Sequence, residues 1–128
     1  MKFIELKKLG TDLEDLNRRL QAGDITQGEA EAELSRNGAP ADYRVLIGAI
    51  VNRVDPQKGI DYGQMKRRFR IADALDAAKD GVLALEDEDH RLLADLAQAH
   101  PWGMVDRNLA QLVEDIRKAS GEGGVMRQ

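Results

Sequence analysis

The residues of this chain that could do chemistry form two charged clusters and two isolated histidines. Residues 66–70 read Lys-Arg-Arg-Phe-Arg, residues 86–89 read Glu-Asp-Glu-Asp, and the histidines are His90 and His100. A catalytic base needs a nucleophile or an acid partner at a defined spacing, and neither histidine lies in HExxH or an equivalent motif. We therefore expect no catalytic residue and predict that the protein is not an enzyme.

The acidic cluster at residues 86–89 admits two interpretations. Asp87 and His90 are three residues apart, which would place two metal ligands on one helix face. Carboxylates in the first turn of a helix also complement its dipole and bind its free amide groups. We favour this second interpretation and expect no metal and no cofactor. Glu86, Asp87 and Asp89 remain candidate interaction residues.

On a helical wheel, Lys66, Arg67 and Arg70 of the basic cluster share an arc that we expect to be exposed. Three cations on one face are able to contact the phosphates of a nucleic acid. However, the chain has 23 acidic against 19 basic residues and a net charge of −4. Nucleic acid is therefore a disfavoured partner, and a solvated face paired with Asp73, one turn further along the helix, is the preferred interpretation.

Arg68 is unusual because the wheel places it inside the apolar arc of the same helix. That arc comprises Tyr62, Met65, Phe69, Ala72 and Leu75. An unpaired buried charge costs several kcal/mol, on the order of 3 to 5. We therefore predict that Arg68 is paired with a carboxylate of residues 86–89 or with a partner chain.

The only tryptophan, Trp102, lies between a proline and a glycine. Aromatic side chains are enriched at protein interfaces, which makes Trp102 a candidate interaction residue. Aromatic residues make up only 4% of the chain, so the core needs this ring. We favour core packing.

Capping signals predict a helical hairpin near the start of the chain. Thr11 and Thr26 each precede a glutamate by three residues, the pattern of a capping box, and they predict helices at about 11–22 and 26–36. The apolar seam between these helices is narrow, so the hairpin should not be stable alone. We expect it to dock on the main body or on another copy. The seam consists of Leu13, Leu16 and Leu20 facing Ile25, Ala30 and Leu34.

The main body is predicted to span residues 40–120 and to form, with the hairpin, one domain of residues 1–120. Pro40 suits the first position of a central helix that is apolar on two sides, and Asp61 suits the cap of a helix to about residue 79. Further helices are expected from the acidic cluster to about residue 98 and from Asp106 onward. The glycine-rich residues 121–128 are expected to be a flexible tail.

Residues 82–85 fit either a helix start or a strand paired with residues 2–6. The predicted fold class is all-α, a compact bundle of five to six short helices, with a minor two-stranded ribbon in the second case.

The chain shows no signal peptide, and its longest apolar run, at residues 45–51, is far short of the roughly 20 residues that cross a bilayer. Cysteine is absent, which fits a reducing compartment. We therefore expect a soluble cytoplasmic protein without a membrane partner.

Two segments resemble known groups of proteins. The hairpin resembles the SHOCT module, a short helical hairpin often appended to bacterial proteins, and this resemblance implies an association element. It covers Leu13, Leu16, Leu20, Gly23, Ile25, Thr26 and Glu29. Two stretches of the main body resemble small helical proteins of temperate bacteriophages and prophages. They read Asp-Pro-Gln-Lys-Gly-Ile-Asp-Tyr-Gly-Gln-Met-Lys-Arg-Arg and Leu-Glu-Asp-Glu-Asp-His. That resemblance implies a role in assembly or in host interaction.

The predicted function is a non-catalytic protein–protein interaction or assembly module encoded by a phage. It would act in virion assembly or in binding a host factor, in the host cytoplasm or in the virion. Its partner would be another protein or a second copy. The alternative is a nucleic-acid-binding regulator that uses the basic helix at residues 66–70.

Overall fold

The computed structural model describes residues 1–119, which form six helices and four short strands. The strands are β1 (Lys2–Glu5), β2 (Lys8–Leu9), β3 (Ala41–Asp42) and β4 (Val82–Leu85). The helices are α1 (Leu13–Gln21), α2 (Gln27–Asn37), α3 (Tyr43–Asn52), α4 (Tyr62–Ala77), α5 (Asp87–Ala99) and α6 (Arg107–Arg117). The predicted tail, residues 121–128, lies outside the described residues.

The predicted all-α class is wrong, because two antiparallel two-stranded ribbons accompany the helices. β1 pairs with β4, with Ile4 opposite Leu83, and β2 pairs with β3. Residues 82–85 are thus a strand and not a helix start. Leu83 and Leu85 point into the core while the residues between them are half-buried, the alternation of a strand with one covered face. The fold is mixed, with small ribbons at the edge of a helical body.

The main core is formed by α3, α4, α5, α6 and the ribbon of β1 with β4. Its fully buried side chains include Tyr43, Ile47, Ile71, Leu83, Leu93, Leu112 and Ile116. None of the described helices is long and apolar enough to cross a membrane.

Two predicted helix starts are wrong, and both errors come from the ribbon of β2 with β3. α3 begins at Tyr43 and not at Pro40, because residues 41–42 are paired with β2 and Asp42 caps the helix. α1 is capped by Asp12 and not by Thr11. The Thr11 hydroxyl is buried and donates a hydrogen bond to the Gly38 carbonyl.

The predicted caps at Thr26 and Asp61 are confirmed. The Glu29 amide donates to the Thr26 hydroxyl and the Thr26 amide donates to the Glu29 carboxylate, which completes the capping box of α2. Asp61 caps α4 by accepting a hydrogen bond from the Gln64 amide.

A polar cluster joins α3 to α6. The Asp115 carboxylate accepts hydrogen bonds from the Tyr43 hydroxyl (2.5 Å), the Lys7 ammonium group (3.2 Å) and the Gln111 amide (2.8 Å). Burial alone would raise the pKa of Asp115, but these three donors outweigh burial and lower it. Burial, together with Asp115, raises the pKa of Tyr43.

Candidate interaction surfaces

α4 is rotated relative to the orientation that the wheel predicts, so only part of the predicted apolar arc faces the core. Arg68, Ile71 and Leu75 are buried against the rest of the body, whereas Tyr62, Met65 and Phe69 are 73%, 42% and 60% exposed. The wheel assigns the widest apolar arc to the core. The contacts of α4 with α3, β4 and α5 select the aliphatic side instead. The predicted inward position of Tyr62, Met65 and Phe69 is therefore wrong.

Arg68 is buried as predicted, but its partners are not carboxylates. Its guanidinium donates to the carbonyl of Val51 (3.1 Å), to the carbonyl of Arg53 and to the side-chain oxygen of Gln64 (2.9 Å). The last carbonyls of α3 lack partners within the helix and carry the negative end of its dipole. They bind the guanidinium in place of an acidic side chain, while its buried Nε atom has no hydrogen-bond partner. Burial lowers the pKa of Arg68.

Arg44 makes the reciprocal contact at the other end of the same helix pair. It lies in the first turn of α3 and donates to the carbonyl of Leu75 (2.6 Å) and to that of Ala78, at the end of α4. In each of these two antiparallel helices, the last carbonyls therefore accept hydrogen bonds from an arginine of the other helix. Sequence reasoning missed Arg44, because backbone carbonyl acceptors leave no signal in the sequence.

The basic and acidic clusters do meet, through Arg70. Its guanidinium donates twice to Asp89 (3.2 and 2.6 Å) and once to Glu88 (3.0 Å). The Asp89 side chain is only 6% exposed, so this two-point contact satisfies a buried carboxylate. The hydrogen bonding of Arg70 to the Asp89 carboxylate is the main cause that raises the pKa of Arg70. Arg67 donates weakly to the Glu88 carbonyl (3.4 Å).

The remaining members of the two clusters lie on the surface. The Lys66 ammonium group is 5.5 Å from the centre of the Tyr62 ring, a cation–π contact. Glu86 occupies the cap position of α5 without a side-chain hydrogen bond. Asp87 pairs with the amino group of Met1 (3.1 Å), which lowers the pKa of Asp87. Among residues 1–119, no group of three or more acidic or histidine side chains is arranged to hold a metal ion.

The histidines and the tryptophan have structural contacts. The His90 ring nitrogen Nε2 is 2.6 Å from the carbonyl of Ile116, at the end of α6. The His100 ring lies 4.5 Å from the ring of Trp102, and burial lowers the pKa of His100. Trp102 is half-buried and packs against the edge of the core. It also lines an open groove beside α6, which Leu109 shares.

The hairpin has one polar face and one apolar face. Leu16 and Ala30 are buried between its helices. On one side of Leu16, Arg19 is hydrogen-bonded to Asp15 and Glu33. The other side carries leucines that are largely uncovered, and we call it the hairpin face. It comprises Leu13, which is 51% exposed, Leu34, which is 37% exposed, and Leu20, which is half-buried.

The two leucines of α1 in this face fall on the same side because the helix advances by about 100° per residue. Leu13 and Leu20 are displaced from Leu16 in one rotational sense, and Arg19 is displaced in the other. On α2, Leu34 is displaced from Ala30 in the same rotational sense. The two helices are antiparallel and meet at Leu16 and Ala30. Leu13, Leu20 and Leu34 therefore lie on one surface of the hairpin. A hollow lined by Leu13, Leu16 and Leu20 runs along it.

The hairpin is attached to the body at its base by polar contacts. The Asn108 amide group donates to the carbonyls of Asn37 (2.9 Å) and Ala39 (3.0 Å). Gly38 has a φ of +81°, and a Cβ atom at this position would lie 2.6 Å from the Asn108 nitrogen, so the junction requires glycine. The hairpin leucines do not belong to the main core. The seam therefore lies outside the main core.

A scan against protein-family models and searches of curated proteins and of solved structures found no match to this chain. The surfaces described above are accordingly the basis for the function proposed next.

Proposed function

We propose that this protein is a non-catalytic protein–protein interaction or assembly module that binds its partner through the hairpin face. The observation that carries this proposal is the exposure of Leu13 and Leu34 on a hairpin whose seam lies outside the main core. Contiguous apolar surface that a chain does not cover itself is typical of interaction sites. The polar side of the same hairpin is already satisfied by the ion pairs of Arg19.

Burial of apolar surface is the main driving force of such an association. Removing a leucine side chain from water contributes about 1.5–3 kcal/mol when the burial is complete. The hairpin face offers two strongly exposed leucines and one that is half-buried. This supports a contact of modest strength, to which a second surface would have to contribute.

The resemblance of the hairpin to an association module also supports a role in protein–protein interaction. The resemblance of the body to small phage proteins supports a setting in virion assembly or in the binding of a host factor. The partner would be a phage protein, a host protein or a second copy of this chain, met in the host cytoplasm or in the virion.

The test is affinity capture from the native host with three forms of the full chain. These are the wild type, the double variant Leu13→Glu/Leu34→Glu, and the control Val105→Glu, which adds a carboxylate at a fully exposed apolar residue far along the chain. We expect the wild type and the control to retain the same partner and the double variant to lose it. If all three forms retain the same set of proteins, and the wild type does not self-associate, the proposal is wrong.

Deletion of residues 1–37 is not a suitable test of the hairpin. It would also remove β1, whose Ile4 is buried in the main core opposite Leu83. Loss of stability would then report on the core and not on the hairpin face.

The alternative function, a nucleic-acid-binding regulator, is weakened by the contacts of the basic cluster. Arg70 is bound to two carboxylates, and Arg68 is buried. If Lys66, Arg67 and Arg70 each contacted a phosphate, a plot of log affinity against log salt concentration would have a slope of about −2.7. Anisotropy titrations of duplex DNA that show this slope, and lose it with Lys66→Glu, would favour the regulator.

A further inference from the structure

α4 carries a second uncovered apolar surface, which we call the α4 stripe. It consists of Tyr62, Met65 and Phe69, all exposed along the first half of the helix. Aromatic rings gain more from burial than most side chains, and this chain has only five of them. Two of the five lie in this stripe, so the surface is a candidate for contact with a protein.

The α4 stripe and the exposed part of α1 have the same length. Tyr62 and Phe69 are seven residues apart, and so are Leu13 and Leu20, which flank the buried Leu16. Each pair therefore spans about two helical turns, a length of roughly 10 Å. Two helices packed side by side along these surfaces would be matched in length.

The charges around the two surfaces are opposite. Residues 11–37 carry seven acidic and three basic side chains, whereas residues 53–70 carry six basic and two acidic ones. Arg68 is buried and Arg70 is paired, but Arg53, Lys58 and Lys66 remain exposed. Pairing two hairpins face to face would bring acidic side chains together instead. Electrostatic complementarity therefore favours a contact between unlike surfaces.

We propose that the hairpin face of one copy of this chain binds the α4 stripe of a second copy, with α1 antiparallel to α4. This orientation places Glu14, which borders the hairpin face, at the basic end of the stripe. Because the two surfaces lie on different parts of the molecule, a bound pair of copies leaves one hairpin face and one α4 stripe free. Such a heterologous contact builds closed rings or open filaments. The inference rests on the proposed function, since it uses the same hairpin face.

The experiment uses two variants that each destroy one surface. The hairpin variant is Leu13→Glu/Leu34→Glu, and the stripe variant is Tyr62→Glu/Phe69→Glu. Light scattering at increasing concentration measures the mass of each, of the wild type and of the control Val105→Glu. We expect the wild type and the control to grow beyond a dimer and each variant alone to remain a monomer. An equimolar mixture of the two variants should stop at twice the monomer mass, because it contains one intact copy of each surface.

Other results overturn the inference in distinguishable ways. If the stripe variant still self-associates, the hairpin faces pair with each other, and the proposed function survives. If the wild type remains a monomer, self-association is wrong, although capture of another protein through the hairpin face would still uphold the proposed function. If the hairpin variant assembles like the wild type, self-association does not use the hairpin face and the inference is wrong. The proposed function fails as well only if this variant also captures the same proteins as the wild type. None of the substituted residues belongs to the main core. If a glutamate variant loses its circular dichroism spectrum, the milder variants Leu13→Ser and Phe69→Ser repeat the mixing test.

Discussion

At the scale of single residues, polar side chains that suggested chemistry serve to complete helix ends. Arg68 binds the last carbonyls of α3, Arg44 those of α4, and His90 contacts the carbonyl of Ile116 in α6. The free carbonyls of a helix end need donors, and here distant side chains supply them. The burial of Arg68 was predictable from its position on the wheel. Its partners were not, because a carbonyl acceptor is present at every residue.

Replacing Arg68 should destabilise the protein through these carbonyls. Arg68→Ala leaves the carbonyls of Val51 and Arg53 without their donor in a largely buried site, at a cost of about 1–3 kcal/mol. The neighbouring Arg67→Ala removes only a long, exposed contact and should cost at most about 0.5 kcal/mol. Urea unfolding of both variants measures the difference. Equal losses would show that Arg68 does not support the end of α3.

Asp115 should make stability depend on pH. Its pKa is lowered in the folded protein, so its contribution is present above the unfolded pKa of about 3.9 and is lost as the pH falls through the folded value. Asp115→Asn should therefore cost about 1.5–3 kcal/mol at pH 7 and progressively less below about pH 4. Urea unfolding across this pH range measures the effect. A cost that does not change with pH would contradict the assignment.

The control for Asp115 is Glu114→Gln, on the same helix. Glu114 pairs with Arg117 on the surface, and such pairs contribute about 0–1 kcal/mol. The loss for this variant should stay small at every pH tested.

At the scale of elements, helices with strong caps were predictable and short strands were not. The capping box at Thr26 and the cap at Asp61 located α2 and α4 because their signals are local. The two-residue strands β2 and β3 exist only through their pairing with each other, and they displaced the predicted start of α3. The orientation of α4 was missed for the same kind of reason, since its neighbours and not its own sequence decide which side is buried.

The hairpin should open independently of the main core. Its seam lies outside that core, so its amide protons should exchange faster than those of α3 and α5. Thr26→Ala removes the capping box of α2 and should weaken the hairpin by about 1 kcal/mol. Native-state hydrogen exchange should then show faster exchange in residues 13–37 and unchanged exchange in α3. Equal acceleration in both regions would mean that the hairpin and the core unfold together.

At the scale of the whole molecule, the described chain contains one closed core and two apolar surfaces that it leaves open. Within the core, side chains bind the last carbonyls of α3, α4 and α6, and His90 links α5 to α6. The hairpin face and the α4 stripe have no comparable cover. The sequence indicated the narrow seam of the hairpin, which is why association was expected. It did not indicate the α4 stripe, because the wheel placed those aromatic side chains in the core.

The most direct test of the hairpin face as the binding surface is hydrogen–deuterium exchange of the wild-type protein at low and at high concentration. Association through this face and the α4 stripe predicts that peptides from residues 13–21 and 62–69 gain protection as the concentration rises. Peptides from the groove beside Trp102 and α6 should not change. Protection confined to that groove, or no change in residues 13–21 under conditions where the mass increases, would contradict the account.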